Sequence, residues 1–278
     1  MPNDSIASSE IPADSNTDCA SATAIGPSPS QSWSWNKSFL NLVRPPIAPL
    51  PLLLDAKPQR IQIDVNTTAL IIVDMQNDFF HPEGWFGQKG RDLELARKPI
   101  PAIAGLLKSW RAVNGKVIWL NWGVRNDRAN LGPTVQNKGK GGPEGVGYAE
   151  ISPIDRGPAL VQGSWGAEII DELQAEPTDL LVYKHRLSGF WDNELESILR
   201  CQGVSTLLFT GINTDRCVFS SLQDAAFLGY DCILVEDACG TSSPQFVTDA
   251  IYFMVRQLHG FTAESSDLIQ GLEQIQSK

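Results

Sequence analysis

Three side chains of this 278-residue chain have the chemistry that nucleophilic acyl transfer requires: the carboxylate of Asp74, the ammonium of Lys184 and the thiol of Cys217. A thiolate is a strong nucleophile, a carboxylate can accept the proton of a thiol, and an ammonium stabilises the resulting thiolate. Each residue by itself also has a structural explanation, as a turn carboxylate, a strand-end lysine and a small buried apolar side chain. Their placement in the predicted fold favours the chemical explanation.

Cys217 is predicted to lie in the turn between a strand and a helix. The apolar run 204–209 indicates a buried strand, and apolar residues at helical spacing follow the cysteine: Val218, Leu222, Ala225 and Leu228. The first N–H groups of a helix have no partner within the helix and bear partial positive charge. The turn can therefore stabilise a thiolate and donate hydrogen bonds to a developing oxyanion.

Asp74 and Lys184 are each predicted to follow or end a strand. The run 69–73 is apolar throughout, as in a parallel strand buried on both faces, and Lys184 ends the strand 178–184. Because the carboxyl ends of parallel strands meet at one edge of a sheet, where such folds place their active sites, Asp74, Lys184 and Cys217 are expected to converge.

The remaining pattern alternates strands with helices. It predicts further strands over 116–122, 230–237 and 260–263, helices over 100–113, 165–173, 192–200, 246–258 and 266–275, and a long loop over 125–164. This alternation predicts an α/β fold with three α/β/α layers and a doubly wound, mostly parallel sheet of about six strands.

The chain divides into three predicted regions. Residues 1–32 are rich in Ser, Ala and Pro, contain no Lys or Arg, and are predicted to form a disordered tail. Residues 33–64 combine apolar anchors with a Pro-rich run, and we expect an extended arm that packs on the domain or on a neighbouring subunit. Residues 65–278 form the predicted folded domain, which contains Asp74, Lys184 and Cys217.

Composition excludes several classes of partner. The formal net charge is −10 and no basic cluster stands out, so we expect no nucleic acid and no membrane surface, but a small molecule. No apolar run of about 18 residues or secretory signal is visible. The five cysteines form no CxxC pair, which favours a reducing compartment, and we expect the cytoplasm.

Three motifs together resemble the isochorismatase-like cysteine hydrolases. They are DMQNDFF from Asp74, SGFWDNELESILR from Ser188, and FTGINTDRCV from Phe209, and the resemblance extends over about 65–261. It implies that Asp74 is the general base, Lys184 holds the carboxylate and thiolate in place, and Cys217 is the nucleophile. It also implies a cis peptide between Ile212 and Asn213, and an oxyanion hole formed by the backbone N–H groups of Asn213 and Cys217.

The branch that the chain most resembles is the ureidoacrylate amidohydrolases. The resemblance implies a metal-independent cysteine hydrolase that cleaves a C–N bond of a small ureido, carbamoyl or amide compound through a thioester, and that forms a dimer or tetramer. Asn213, Asp215 and Arg216 depart from that branch. Alternatives are a biuret or N-carbamoyl amino acid hydrolase, an isochorismate-directed hydrolase, and a non-catalytic binding protein on the same fold.

No metal or other cofactor is expected. The histidines, His81, His185 and His259, are dispersed along the chain, and the stretch that corresponds to the metal site of the related nicotinamidases contains none.

Further residues are candidates for contact with substrate. Four lie near the catalytic positions or after a strand: Phe79, Trp191, Asn193 and Gln245. Five others could line a pocket, with no order among them: Trp85, Phe86, Trp122, Arg125 and Tyr148.

Overall fold

A computed structural model describes residues 23–277, which fall into two compact units that divide between Ala48 and Pro49. The described part of the first unit is a three-stranded antiparallel sheet of β1 (Thr23–Ile25), β2 (Trp33–Trp35) and β3 (Leu40–Asn41). Residues 23–25 were predicted to belong to a disordered tail, but they pair with β2. Residues 1–22 of that predicted tail lie outside the described residues.

The second unit opens with an antiparallel hairpin of β4 (Pro51–Leu54) and β5 (Ile61–Asp64). Leu52 and Leu54 are 2% and 1% exposed and belong to the same apolar core as the sheet that follows. Residues 49–64, predicted as part of an extended arm, are therefore a hairpin packed on the domain.

A six-stranded sheet forms the centre of the second unit. Its strands are β6 (Thr68–Val73), β7 (Lys116–Trp122), β8 (Leu180–Lys184), β9 (Thr206–Ile212), β10 (Asp231–Gly240) and β11 (Gly260–Ala263). They lie in the order β11, β10, β9, β6, β7, β8, and every neighbouring pair is parallel. Every residue of β6 and β9 is buried, because a parallel sheet covered on both faces leaves no solvated side.

The direction of the chain reverses between β6 and β9. From β6 the chain continues to β7 and β8 on one side, whereas from β9 it continues to β10 and β11 on the other. Right-handed crossovers in opposite directions place their helices on opposite faces, which gives the three α/β/α layers that the sequence predicted. The crevice at this switch point, outside the carboxyl ends of the strands, is where such sheets bind ligands.

The helices of the second unit are α1 (Asn77–Phe80), α2 (Trp85–Gln88), α3 (Leu93–Arg97), α4 (Ile100–Ala112), α5 (Pro133–Lys140), α6 (Leu195–Cys201), α7 (Phe219–Phe227), α8 (Gln245–Met254) and α9 (Ser265–Gln276). The helix α9 packs against α4 and β4, so the hairpin and the last helix close the same side of the domain. In the described part of the chain, no helix combines the length and the apolar character needed to cross a membrane.

Two sequence predictions are wrong in detail. The predicted loop 125–164 contains α5, which begins with Pro133 in its first turn and ends at Gly141 in a left-handed conformation. Its polar, glycine-containing sequence has no apolar periodicity that would reveal it. The helix predicted over 165–173 is reduced to one 3-10 turn, Trp165–Ala167.

Candidate active site

Asp74 follows β6 directly and is 1% exposed. Its backbone N–H donates to the carbonyl of Leu120, and its Oδ1 accepts a hydrogen bond from the backbone N–H of Trp122 at 3.1 Å. Its φ of 54° turns the chain away from the sheet at this point. The carboxylate is therefore fixed above the end of the neighbouring strand, β7.

Lys184, the last residue of β8, is fully buried. Its Nζ lies 3.0 Å from Asp74 Oδ2, donates to the carbonyl oxygen of Arg186 at 3.2 Å and lies 4.2 Å from the centre of the Trp122 indole ring. A buried ammonium is stable only when it is paired, and the carboxylate, the carbonyl and the aromatic face together provide that pairing.

Cys217 lies in a π-helical turn, Thr214–Val218, that follows β9 and continues directly into α7. Ser221, one turn further, donates from its hydroxyl to the carbonyl of Cys217 at 2.7 Å and accepts from the N–H of Gly189 at 2.9 Å. The cysteine turn is thus tied to the segment that follows Lys184, and the thiol, 4% exposed, hydrogen-bonds the Asp74 carboxylate.

Burial dominates the electrostatics of this group. It raises the pKa of the Cys217 thiol to about 12; the negative charge of Asp74 adds to that increase and the positive charge of Lys184 opposes it. Burial also raises the pKa of Asp74, against the opposing effects of Lys184 and of the hydrogen bond from Cys217. The free protein therefore holds a neutral thiol beside a carboxylate whose affinity for a proton is increased.

A cavity of about 340 Å³ opens onto the thiol. Five aromatic residues line it: Phe79, Trp85, Phe86, Trp122 and Tyr148. The rings of Trp122 and Tyr148 stack at 4.9 Å with an interplanar angle of 20°. The charged residues that line the cavity are Lys89, Arg91, Lys138 and Arg216, and no Asp or Glu lines it among the residues that the structure describes.

Asn213 also lines the cavity, beside Cys217, and the peptide bond that joins it to Ile212 is cis. Both residues implied by the family resemblance to form an oxyanion hole thus border the same space as the thiol.

The sequence-predicted contact residues divide into two groups. Phe79 lines the cavity, whereas Trp191, Asn193 and Gln245 do not. The indole of Trp191 donates to the Asp224 carboxylate at 2.7 Å, and Gln245 donates to Asp249 within α8. Asn193 donates to the carbonyl of Gly189 and accepts from the N–H of Leu195 at the start of α6. Their positions in the sequence therefore do not place them in the cavity wall. Arg125 likewise turns away from the cavity, to Asp127.

Gln76 is a residue of this site that sequence reasoning missed. It is fully buried; its amide nitrogen donates to the carbonyls of Trp122 and Ala167 at 2.7 and 2.8 Å, and its oxygen accepts from the N–H of Trp122 at 2.8 Å. Because that N–H also bonds Asp74, Gln76 fixes the strand end that positions the carboxylate. The signal available in the sequence was a glutamine three residues after the end of an apolar strand and two residues after Asp74.

Within residues 23–277, no group of three or more His, Cys, Asp or Glu side chains has the arrangement that holds a metal ion.

The protein is of the doubly wound α/β class, with Asp, Lys and Cys side chains brought together at the carboxyl ends of its strands. Comparison with known proteins identifies the family. The Isochorismatase domain model matches residues 68–265. The chain belongs to this family.

Its relatives include two ureidoacrylate amidohydrolases named RutB. The protein from Caulobacter segnis is 34% identical over 227 residues, which are 80% of this chain and 92% of that protein. The protein from Azorhizobium caulinodans is 33% identical over 231 residues, 81% of this chain and 99% of that protein.

Solved structures agree on the fold. A cysteine hydrolase from Pseudomonas syringae pv. phaseolicola has a TM-score of 0.65 at 24% identity, over 81% of this chain and 99% of that one. An N-carbamoylsarcosine amidase from Thermoplasma acidophilum has a TM-score of 0.55 at 25% identity, over 72% of this chain and 96% of that one.

Proposed function

We propose that this protein is a metal-independent cysteine hydrolase that cleaves a C–N bond of a small ureido or carbamoyl compound. The observation that supports this most is the buried group of Asp74, Lys184 and Cys217, of which Cys217 lines a cavity that has several aromatic residues in its walls. The relatives named ureidoacrylate amidohydrolase and N-carbamoylsarcosine amidase act on compounds of this class, as their names state.

In the proposed first half-reaction, Asp74 accepts the thiol proton and the Cys217 sulfur attacks the carbonyl carbon of the substrate. The backbone N–H groups of Asn213 and Cys217 stabilise the oxyanion. The C–N bond then breaks, protonated Asp74 returns the proton to the leaving nitrogen, and a thioester with Cys217 remains.

In the second half-reaction, water loses a proton to Asp74 and attacks the thioester carbonyl. The thiolate leaves and recovers that proton, so the enzyme returns to its initial state. Lys184 stays charged throughout and stabilises whichever of its two neighbours is anionic. When ammonia is the leaving group of a ureido compound, the second product is a carbamate, which decays to an amine and carbon dioxide.

Ammonia release from a panel of compounds tests the proposal. The panel contains ureidoacrylate, N-carbamoyl amino acids, biuret, nicotinamide and simple amides, each with the wild type and with Cys217→Ser. We expect release from at least one ureido or carbamoyl compound by the wild type alone. No release from any of them by a folded protein would contradict the proposal and favour isochorismate hydrolysis or a binding role.

We further propose that the protein self-associates as a dimer or tetramer. Its mass in solution, measured by light scattering, tests this, and the mass of a single chain would contradict it.

A further inference from the structure

The cavity has a charge opposite to that of the whole chain. The formal net charge is −10, yet the charged side chains that line the cavity are Lys89, Arg91, Lys138 and Arg216. A pocket lined by charges of one sign between low-dielectric walls concentrates ions of the other sign. The aromatic walls here provide that low-dielectric surrounding.

These four cationic side chains differ in their existing hydrogen-bond partners and in their exposure. Lys89 donates to the carbonyls of Gly139 and Lys140 and lies 4.1 Å from the centre of the Trp85 ring, so its ammonium already has partners. Burial lowers the pKa of Lys89 to about 8, so it is the cation most easily lost at alkaline pH. Arg91 and Lys138 are exposed at the rim.

Arg216 is held in place at the side of the nucleophile. Its side chain is 38% exposed, its Nε lies 3.6 Å from Asp215 Oδ2, and its Nη2 donates to the hydroxyl of Ser243 at 3.4 Å. Asp215, which does not line the cavity, accepts hydrogen bonds from the hydroxyls of Thr241 and Ser243 at 2.6 and 2.8 Å. These contacts hold the guanidinium in place, and Arg216 itself lines the cavity.

The charge of Arg216 acts on another wall of the same cavity. Its guanidinium lowers the pKa of the Tyr148 phenol, against the larger and opposite effect of burial, and Tyr148, Arg216 and Cys217 all line the cavity. The pKa of Tyr148 is raised, mainly by burial, so its hydroxyl stays neutral and can donate a hydrogen bond in the cavity.

We infer that Arg216 is a specificity-determining residue, which binds a carboxylate on the substrate and so selects anionic ureido acids over neutral ureido compounds. This inference rests on the proposed function. A guanidinium binds a carboxylate through two parallel N–H donors, so the carboxylate would orient the substrate with its ureido carbonyl toward Cys217.

Matched substrate pairs test this selection: ureidoacrylate with its methyl ester, and N-carbamoylglycine with its methyl ester. The hydrolysis of each compound is measured by the release of ammonia. The two members differ chiefly in charge, and the reacting ureido group is the same. We expect Arg216→Gln to lower kcat/KM for the acids roughly 10- to 100-fold, the range for one hydrogen bond to a charged group, and to change the esters by less than about threefold.

Two further variants distinguish the loss of the Arg216 charge from a general effect of substitution on folding. Arg216→Lys keeps the charge and is expected to recover part of the activity toward the acids. Arg125→Gln is a matched control, because Arg125 is an exposed arginine that pairs with Asp127 and does not line the cavity. Equal losses for acid and ester in Arg216→Gln would overturn the inference and leave the proposed function intact.

A second readout does not depend on turnover. Each acid is expected to slow iodoacetamide labelling of Cys217 in the wild type more than its ester does, and Arg216→Gln is expected to remove that difference. Equal protection by acid and ester in the wild type would overturn the inference, even if no member of the panel were hydrolysed.

Discussion

At the level of single residues, the proposed mechanism depends on the proton of the Cys217 thiol. The structure has a neutral Cys217 thiol hydrogen-bonded to Asp74, and burial disfavours the charged form of both. Under the proposed mechanism, the thiolate therefore forms only when Asp74 takes the proton during attack, and the free protein holds no thiolate–ammonium ion pair.

Thiol labelling across pH tests this state. Because the pKa of Cys217 is about 12, its iodoacetamide labelling rate should keep rising past pH 10, as peptide mass spectrometry can follow, with the exposed Cys201 as internal control. Since the charge of Asp74 raises that pKa, Asp74→Asn should label faster at a given pH while losing turnover. A plateau below pH 8 in the wild type would indicate a stored thiolate instead.

The Asp74–Lys184 pair should behave as a buried ion pair. Lys184→Met leaves an unpaired carboxylate in the core, and we expect a loss of about 3–5 kcal/mol in the free energy of unfolding, measured with urea at pH 8. The pKa of Asp74 is raised in the folded state, so this variant should be more stable below the ordinary carboxyl pKa and lose stability as pH rises.

The double variant Asp74→Asn, Lys184→Met is the control for that measurement. It has no buried charge at these positions, so its free energy of unfolding should exceed that of Lys184→Met at pH 8. It should also lack the loss of stability with rising pH that the unpaired Asp74 carboxylate causes in Lys184→Met. Equal stability of the single and double variants at pH 8 would contradict the pairing.

The sequence indicates polar residues that follow or end apolar runs, but not residues whose role depends on partners far along the chain. Asp74, Lys184 and Cys217 stand out because each follows or ends an apolar run. Gln76 was missed because its partners lie 46 and 91 positions further along the chain. Aromatic residues were predicted only as an unordered set because packing and ligand contact require the same residue types.

At the scale of elements, the site depends on the close approach of β6 and β9. Gly211 near the end of β9 has a φ of 102°, and a Cβ added there would lie 2.1 Å from the carbonyl oxygen of Val73. Only glycine permits both the left-handed backbone and this contact. The residue therefore keeps the two strands that lead to Asp74 and Cys217 in register.

Substitution of Gly211 should separate backbone strain from steric conflict. Gly211→Ala is expected to cost more than about 2 kcal/mol in thermal or urea unfolding, since it combines left-handed strain with a backbone overlap. Gly229→Ala is the matched control: its φ is 92°, nothing lies within 4 Å of an added Cβ, and strain alone should cost about 1–2 kcal/mol. Equal costs would show that the β6–β9 contact relaxes freely.

The sheet was predictable because buried parallel strands have continuous apolar runs, which need no long-range information. The helix α5 was not, because a polar helix of eight residues resembles a loop in sequence. Its place over the cavity depends on contacts such as that of Gly139 with the Tyr148 ring, which no local pattern specifies.

At the scale of the whole molecule, the boundary of the catalytic unit follows from packing. Every residue assigned to the site lies after Pro49, and the hairpin of residues 51–64 buries Leu52 and Leu54 in the core. The sequence could not place this boundary because a proline-rich apolar stretch is compatible with an arm or with a hairpin.

Two truncations test that boundary. Removal of residues 1–48 should leave the melting temperature of the domain and its ammonia release nearly unchanged. Removal of residues 1–60 deletes β4 and two buried leucines, each worth about 2–5 kcal/mol, and should lower the melting temperature or prevent folding. Equal stability of the two truncated proteins would contradict the role of the hairpin.

The most direct test of the central claim is the initial rate of ammonia release from the best ureido substrate, compared among wild type, Cys217→Ser and Cys232→Ser. Cys232 is the matched control because it is equally buried and its pKa is likewise raised to about 12, but it lies at the opposite end of the sheet, near the start of β10. If Cys217 is the nucleophile, Cys217→Ser abolishes ammonia release and Cys232→Ser retains it. Ammonia release by folded Cys217→Ser at the wild-type rate would contradict that role of Cys217.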